Sequence, residues 1–149
     1  MIEAFLTGLV AKVNETTESV HNDFYNAIGG RFHDTESYQR TDTEYDSEFY
    51  PYAVVGIVDS IPGWTFTHNF ETITFQIDIF AQTSTDADDA FGKLVALLDP
   101  SAGSYWVQPT VTGYTVVSLK RTLTYRDKDD DDIWYYNVRY EAELEKSNT

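Results

Sequence analysis

The sequence predicts an α+β domain: a mostly antiparallel sheet of about four to five strands with helices packed on one face. Two patterns carry that expectation. Apolar residues at helical spacing open the chain and recur around Leu94, whereas apolar residues at alternate positions run through Ile73–Ile79 and Trp134–Leu144. The order helices, hairpin, helix, hairpin then groups the helices against one side of a sheet. A chain of 149 residues fits a single domain spanning 1–149, long enough to bury a core without cross-links.

Ile2, Phe5, Leu6, Leu9, Val10 and Val13 form one apolar stripe, so residues 2–13 are expected to be an amphipathic helix. The run NETTES breaks the stripe. Val20, Phe24 and Ile28 resume it, and Gly29-Gly30 stop the second helix because glycine accepts a left-handed conformation. Arg31–Phe49 is polar and unpatterned. It is read as a short strand at Arg31–His33 followed by a long loop, with Tyr38 and Tyr45 as anchors.

YPYAVVGIVDS, residues 50–60, reads as a buried strand, and Pro62-Gly63 as the turn that follows it. Next, Ile73, Phe75, Ile77 and Ile79 alternate with Thr72, Thr74, Gln76 and Asp78, the pattern of a half-buried strand. The two strands are expected to form a hairpin with a long connection. In the helix after it, Ser84 or Thr85 is the expected cap, and Asp86, Asp88 and Asp89 suit the positive end of its dipole. Ala87, Phe91, Leu94 and Leu98 give its buried stripe, and Pro100 helps to end it. YWVQPTV, residues 105–111, is read as an edge segment, since Pro109 cannot donate to a ladder. Tyr114–Arg126 and Ile133–Glu145 complete the fold as two long strands. In the last one Trp134, Tyr136, Val138, Tyr140, Ala142 and Leu144 share a face, with Arg139, Glu141 and Glu143 on the other.

Between those strands lies the acidic run containing Asp127, Asp129, Asp130, Asp131 and Asp132. Aspartate bonds its own backbone in turns, so a hairpin turn is the simplest reading. The calcium-loop template fails here twice. Asp127, Asp129 and Asp131 fill its first, third and fifth positions, but Asp132 stands where the sharp turn needs glycine, and Val138 where a bidentate glutamate is needed. Beside the turn, Ile133 and Tyr135 point to one face and Trp134 and Tyr136 to the other. An apolar strand end on both faces needs a cover on each. Either a second subunit or the chain's own N-terminal helices or Arg31–Phe49 segment supplies it.

Twenty-five acidic against ten basic residues give a formal net charge of −15. Such a surface repels phosphate backbones and anionic lipid, which argues against tight DNA binding and membrane docking. No basic leader precedes the first apolar run, so no signal peptide is expected, and no stretch is long and apolar enough to span a bilayer. Cysteine is absent, which excludes disulfides, a thiolate nucleophile and cysteine metal ligands. The chain has no G-x-S-x-G elbow, P-loop or H-E-x-x-H motif, and His21, His33 and His68 are scattered, so neither an enzyme nor a bound cofactor or metal is expected. Trp64 and Trp106, in or near loops, fit core or interface anchors better than sugar platforms.

Three segments in order resemble the tail-completion, or tail-terminator, proteins of long-tailed bacteriophages. They are AIGGRFHD at Ala27–Asp34, YPYAVVGIV at Tyr50–Val58, and FETITFQIDIFAQTSTDADDAFGKLVALLD at Phe70–Asp99, in which Asp78-Ile79-Phe80 ends a strand that leads directly into a capped helix. The long Arg31–Phe49 segment and the acidic Asp127–Asp132 turn depart from that pattern. The resemblance implies a non-catalytic virion protein, assembled in the host cytoplasm. It would form a ring, usually hexameric, on the head-proximal end of the tail tube. Its partners would be further copies of itself, the major tube protein and the head connector, with DNA passing through unbound. Trp64, Trp106, Ile133 and Tyr135 are the candidate contacts, and Asp127 and Asp129–Asp132 the candidate acidic lumen residues. Another neck component, such as an adaptor, is the alternative. The 11 tyrosines keep a carbohydrate- or ligand-binding module as a more distant one.

Overall fold

The structure, a computed structural model, describes residues 2–13, 23–34, 50–64, 69–99 and 111–146. The elements run α1 (Ile2–Val13), α2 (Asp23–Ala27), β1 (Phe32–Asp34), β2 (Tyr52–Trp64), β3 (Asn69–Ala81), α3 (Ser84–Leu98), β4 (Tyr114–Lys128) and β5 (Trp134–Lys146). The strands make one sheet in the order β1-β2-β3-β5-β4. Three of its pairings are antiparallel. The short β1 runs parallel to β2, with Phe32 opposite Ala53, so the α+β expectation holds with a mixed sheet.

The helices share one side. α1 buries Phe5, Leu6, Leu9 and Val13, whereas Ile2 at the helix start stays partly exposed. The Phe5 ring lies 5.2 Å from Phe75 on the central strand β3. α2 contributes Phe24, set edge-on to Phe32. Gly29 and Gly30 follow with φ of 61° and 74°. A Cβ at Gly30 would fall 2.9 Å from the Tyr25 hydroxyl, so this reversal needs glycine for space as well as backbone freedom. The reversal delivers Arg31, whose Nε donates to the Pro51 carbonyl at 3.1 Å, and so starts β1 beside β2.

The Pro62-Gly63 turn expected after the first long strand is not a turn. β2 continues through Ile61, Pro62 and Gly63 to Trp64, opposite Thr72, Glu71, Phe70 and Asn69. Beyond Val55 no described residue pairs with this side of β2, and proline is tolerated where a strand has no partner on one side. The hairpin connection is correspondingly short, between Trp64 and Asn69, instead of long. The expected cap is also displaced. Thr83 is the N-cap of α3, with extended backbone and its hydroxyl accepting from the Asp86 N–H at 3.2 Å, in place of Ser84 or Thr85. α3 buries Ala87, Ala90, Leu94, Leu97 and Leu98, while Phe91, expected in the core, is half-buried and stacks on Tyr136 at 4.4 Å. Tyr38, Tyr45 and all but Val111 of the 105–111 segment lie outside the described residues, and Val111 makes an isolated bridge to Tyr114.

Candidate assembly surface

Two carboxylates pin α3 to the outer strands. Asp99, at the helix end and buried, accepts from the Tyr140 hydroxyl at 2.7 Å and from Arg121 Nε at 3.0 Å. Burial, and then the bond to Asp99, pushes the Tyr140 pKa up. Asp88, in the first turns of the helix, accepts from the Tyr136 hydroxyl and from Arg126. Those two contacts, Tyr136 first, hold its carboxyl below the usual range. Arg126 also stacks over the Trp134 ring at 4.6 Å. These bonds tie both ends of α3 to β4 and β5.

Among the described residues, the other side carries no helix. Alternation places Gln76, Asp78 and Phe80 of β3 there, with Tyr135, Asn137, Arg139 and Glu141 of β5 and Lys120, Leu123, Tyr125 and Asp127 of β4. An aromatic row crosses it from strand to strand. Tyr50 meets Tyr52 at 5.3 Å, Tyr52 stacks on Phe80 at 5.0 Å, Phe80 meets Tyr135 at 6.4 Å, and Tyr135 meets Tyr125 at 6.1 Å. Its β2 end is buried in a small cluster of Tyr50, Tyr52, Val54 and Ile133. Its β4 end is open: Tyr125 is 48% exposed and Leu123 44%.

Beside the row runs a polar chain. Arg139 donates to the Gln76 carbonyl oxygen at 2.9 Å, and the Gln76 amide donates to Asp78 at 2.8 Å. Burial raises the Asp78 pKa, against the Gln76 bond and the Arg139 charge, which lower it. Among the described residues, Asn137 Oδ1 and Arg139 Nε are buried side-chain atoms with no hydrogen-bond partner.

The acidic run is a hairpin turn. Asp127 and Lys128 belong to β4, and the reversal is Asp129–Ile133. Asp129 Oδ1 accepts from the N–H groups of Asp131 and Ile133, each at 2.9 Å. Asp132 takes φ 62°, a conformation aspartate tolerates better than most residues. Lys128 pairs with Asp132 at 3.0 Å, and Asp127 accepts from the Tyr125 hydroxyl at 2.9 Å. Asp130 and Asp131 are exposed. Among the described residues no group of three or more His, Cys, Asp or Glu is placed to hold a metal ion.

Of the four residues singled out as contacts, the structure brings Ile133 and Tyr135 to the helix-free side. Trp64 ends β2 at the far end of the hairpin, and Trp106 lies outside the described residues. Sequence reasoning missed Tyr125, Phe80, Tyr50 and Tyr52 as one row. The available signal was apolar character on both strand parities, Phe80 beside Ala81 and Tyr135 beside Tyr136.

The fold has a known counterpart. A chain in the solved virion of a native gene transfer agent particle superposes with a TM-score of 0.65 and 15% sequence identity, over 95% of this chain and 98% of that one. No protein-family model and no curated protein sequence matches the chain.

Proposed function

We propose that this protein is a structural component of a phage-type virion, a tail-terminator subunit. In this reading, copies close into a hexameric ring on the head-proximal end of the tail tube, stop its polymerisation and present a docking face to the head connector. The observation that carries it is the end-to-end likeness of fold to a chain of a virion particle, with almost nothing left over in either chain. The order of the three sequence segments that resemble tail-completion proteins supports the finer assignment. The action is steric and interfacial: a closed ring uses heterologous contacts between copies, and no bond in any substrate changes. Ile133 and Tyr135, with Trp64 and Trp106, are the proposed contacts. The carboxylates of Asp127 and Asp129–Asp132 are proposed to face the channel, where negative charge keeps passing DNA from sticking.

A tube-capping assay tests this. Tube protein from the same genome is polymerised with and without this chain, and tube lengths and end density are read by electron microscopy. The expected result is short tubes with extra density at one end. Tubes that grow to the same length without end density count against the terminator role. Binding to the connector instead of the tube end would make the protein another neck component.

A further inference from the structure

We propose that Tyr125 and Tyr135 form an oxidative cross-linking site, at which a one-electron oxidant joins β4 to β5 through a dityrosine bond. Neither ring needs a partner chain for this step, and both belong to the described residues.

Register brings the pair together. Tyr125 stands opposite Asn137 and Tyr135 opposite Asp127, so the two tyrosines are diagonal neighbours on one face of an antiparallel pair. Their ring centres are 6.1 Å apart with the planes inclined by 42°, within the range in which aromatic rings touch. Tyr125 is exposed, so a turn about its side-chain torsions brings an ortho carbon of one ring onto that of the other.

The surroundings direct electron loss to this pair. A phenol gives up an electron most readily when its proton can leave at the same time. The Tyr125 hydroxyl already donates to Asp127 Oδ2 at 2.9 Å. The Lys128 N–H, and then Tyr125 itself, hold the Asp127 carboxyl below the usual range, so at neutral pH it is ionised and able to take that proton. Trp134 is the competing electron donor nearby, and it is disfavoured. Arg126 Cζ lies 4.6 Å and Lys128 Nζ 5.6 Å from its ring centre, and positive charge opposes a radical cation there. Along the row, Phe80 separates Tyr135 from Tyr52 and lacks a hydroxyl, so the radical does not pass on. Tyr50 and Tyr52 also touch, but both are buried away from an oxidant in solution.

Each phenol loses one electron to the oxidant and one proton, that of Tyr125 to Asp127 and that of Tyr135 to water. The two radicals form one carbon–carbon bond between ring positions ortho to oxygen. The hydrogens on those carbons then move to the oxygens and restore both phenols, so the chain loses two hydrogen atoms in all. Cysteine is absent, so no disulfide can tie these strands, and reductants do not open a dityrosine bond. The bond fixes the outer strand β4, whose residues from Lys120 to Lys128 are all exposed, on both faces.

The test uses the full-length protein, illuminated with tris(bipyridine)ruthenium(II) and persulfate, which takes up both electrons as it splits into two sulfates. The monomer is isolated and digested with trypsin, which separates residues 122–126 from 129–139. The expected product joins those two peptides and is lighter by two hydrogens than their sum, with fragment ions placing the bond on Tyr125 and Tyr135. Tyr125→Phe and Tyr135→Phe keep each ring and should each abolish it. Asp127→Asn keeps an acceptor for the hydroxyl hydrogen bond but cannot take the proton, and its initial rate should fall severalfold. A bond to Tyr136 in place of Tyr135, or one found only between the 122–126 peptides of two copies, overturns the pair. A monomer that gains oxygen at Trp134 and forms no cross-link overturns the site. An unchanged rate in Asp127→Asn overturns the role of Asp127 as proton acceptor.

Discussion

The two faces of the sheet are built from the same strands and do opposite things. On one, Ile73, Phe75, Ile77 and Ile79 are fully buried beneath three helices. On the other, Thr72, Thr74, Gln76, Asp78 and Phe80 are half-buried, and among the described residues no helix covers them. The alternation of β3 is nearly free of exceptions on the first face and mixed on the second. A face whose role is stability needs only apolar volume, whereas one that meets another surface needs apolar area without becoming insoluble alone. Aromatic rings beside the Arg139–Gln76–Asp78 chain of side-chain hydrogen bonds meet that second requirement.

The sharpest way to break this comparison is to truncate one ring on each face. Phe75 lies between Phe5 at 5.2 Å and Tyr140 at 5.5 Å and is fully buried. Phe75→Ala is expected to cost about 3–5 kcal/mol of folding free energy by urea titration, the usual range for a buried Phe truncation. Tyr135→Ala should cost about 1 kcal/mol, near the value of its two ring contacts. Equal costs would mean that the second face is also a core.

The Asp99 anchor comes next. Asp99→Ala leaves the Tyr140 hydroxyl and the Arg121 guanidinium without their acceptor, and about 2–4 kcal/mol should be lost. Tyr140→Phe removes only one donor, with Arg121 still paired, and should cost about 1 kcal/mol. If both variants cost the same, Arg121 contributes nothing to holding α3. Gly30→Ala follows, at about 1–2 kcal/mol from its left-handed backbone, and somewhat more because the added Cβ meets Tyr25.

Most of the fold was legible because each long element states its period twice, by what it buries and what it exposes. α1, β4 and β5 fall within two residues of their expected bounds. What misled were local punctuation signals. Pro62-Gly63 reads as a turn in isolation, yet proline is tolerated in a strand that has a described partner on one side alone. The parallel pairing of β1 was invisible, because three residues carry no periodicity that sets direction. The candidate surface was half legible. Ile133 and Tyr135 announced themselves beside Trp134 and Tyr136. Tyr125 and Phe80 did not, since their adjacency depends on the strand order β3-β5-β4, which no local pattern encodes.

The smallest expected effect separates the faces by pH. Asp78 sits on the uncovered face, and burial nonetheless raises its pKa above 3.8. A carboxyl whose folded pKa exceeds its unfolded one destabilises the fold only where it must be charged. The penalty is absent well below pH 3.8, grows as pH rises through that value, and is complete above the folded pKa. Asp78→Asn should therefore raise stability at neutral pH and lose that gain as pH falls toward 3. Asp88 gives the opposite sign. Its bonds to Tyr136 and Arg126 lower its pKa, so its contribution is present above 3.8 and fades in acid. Its partial exposure makes that contribution small. Denaturant midpoints of the two asparagine variants across pH 3–7 would measure both. If Asp78→Asn shows no pH-dependent gain, the carboxyl is better solvated than its position implies.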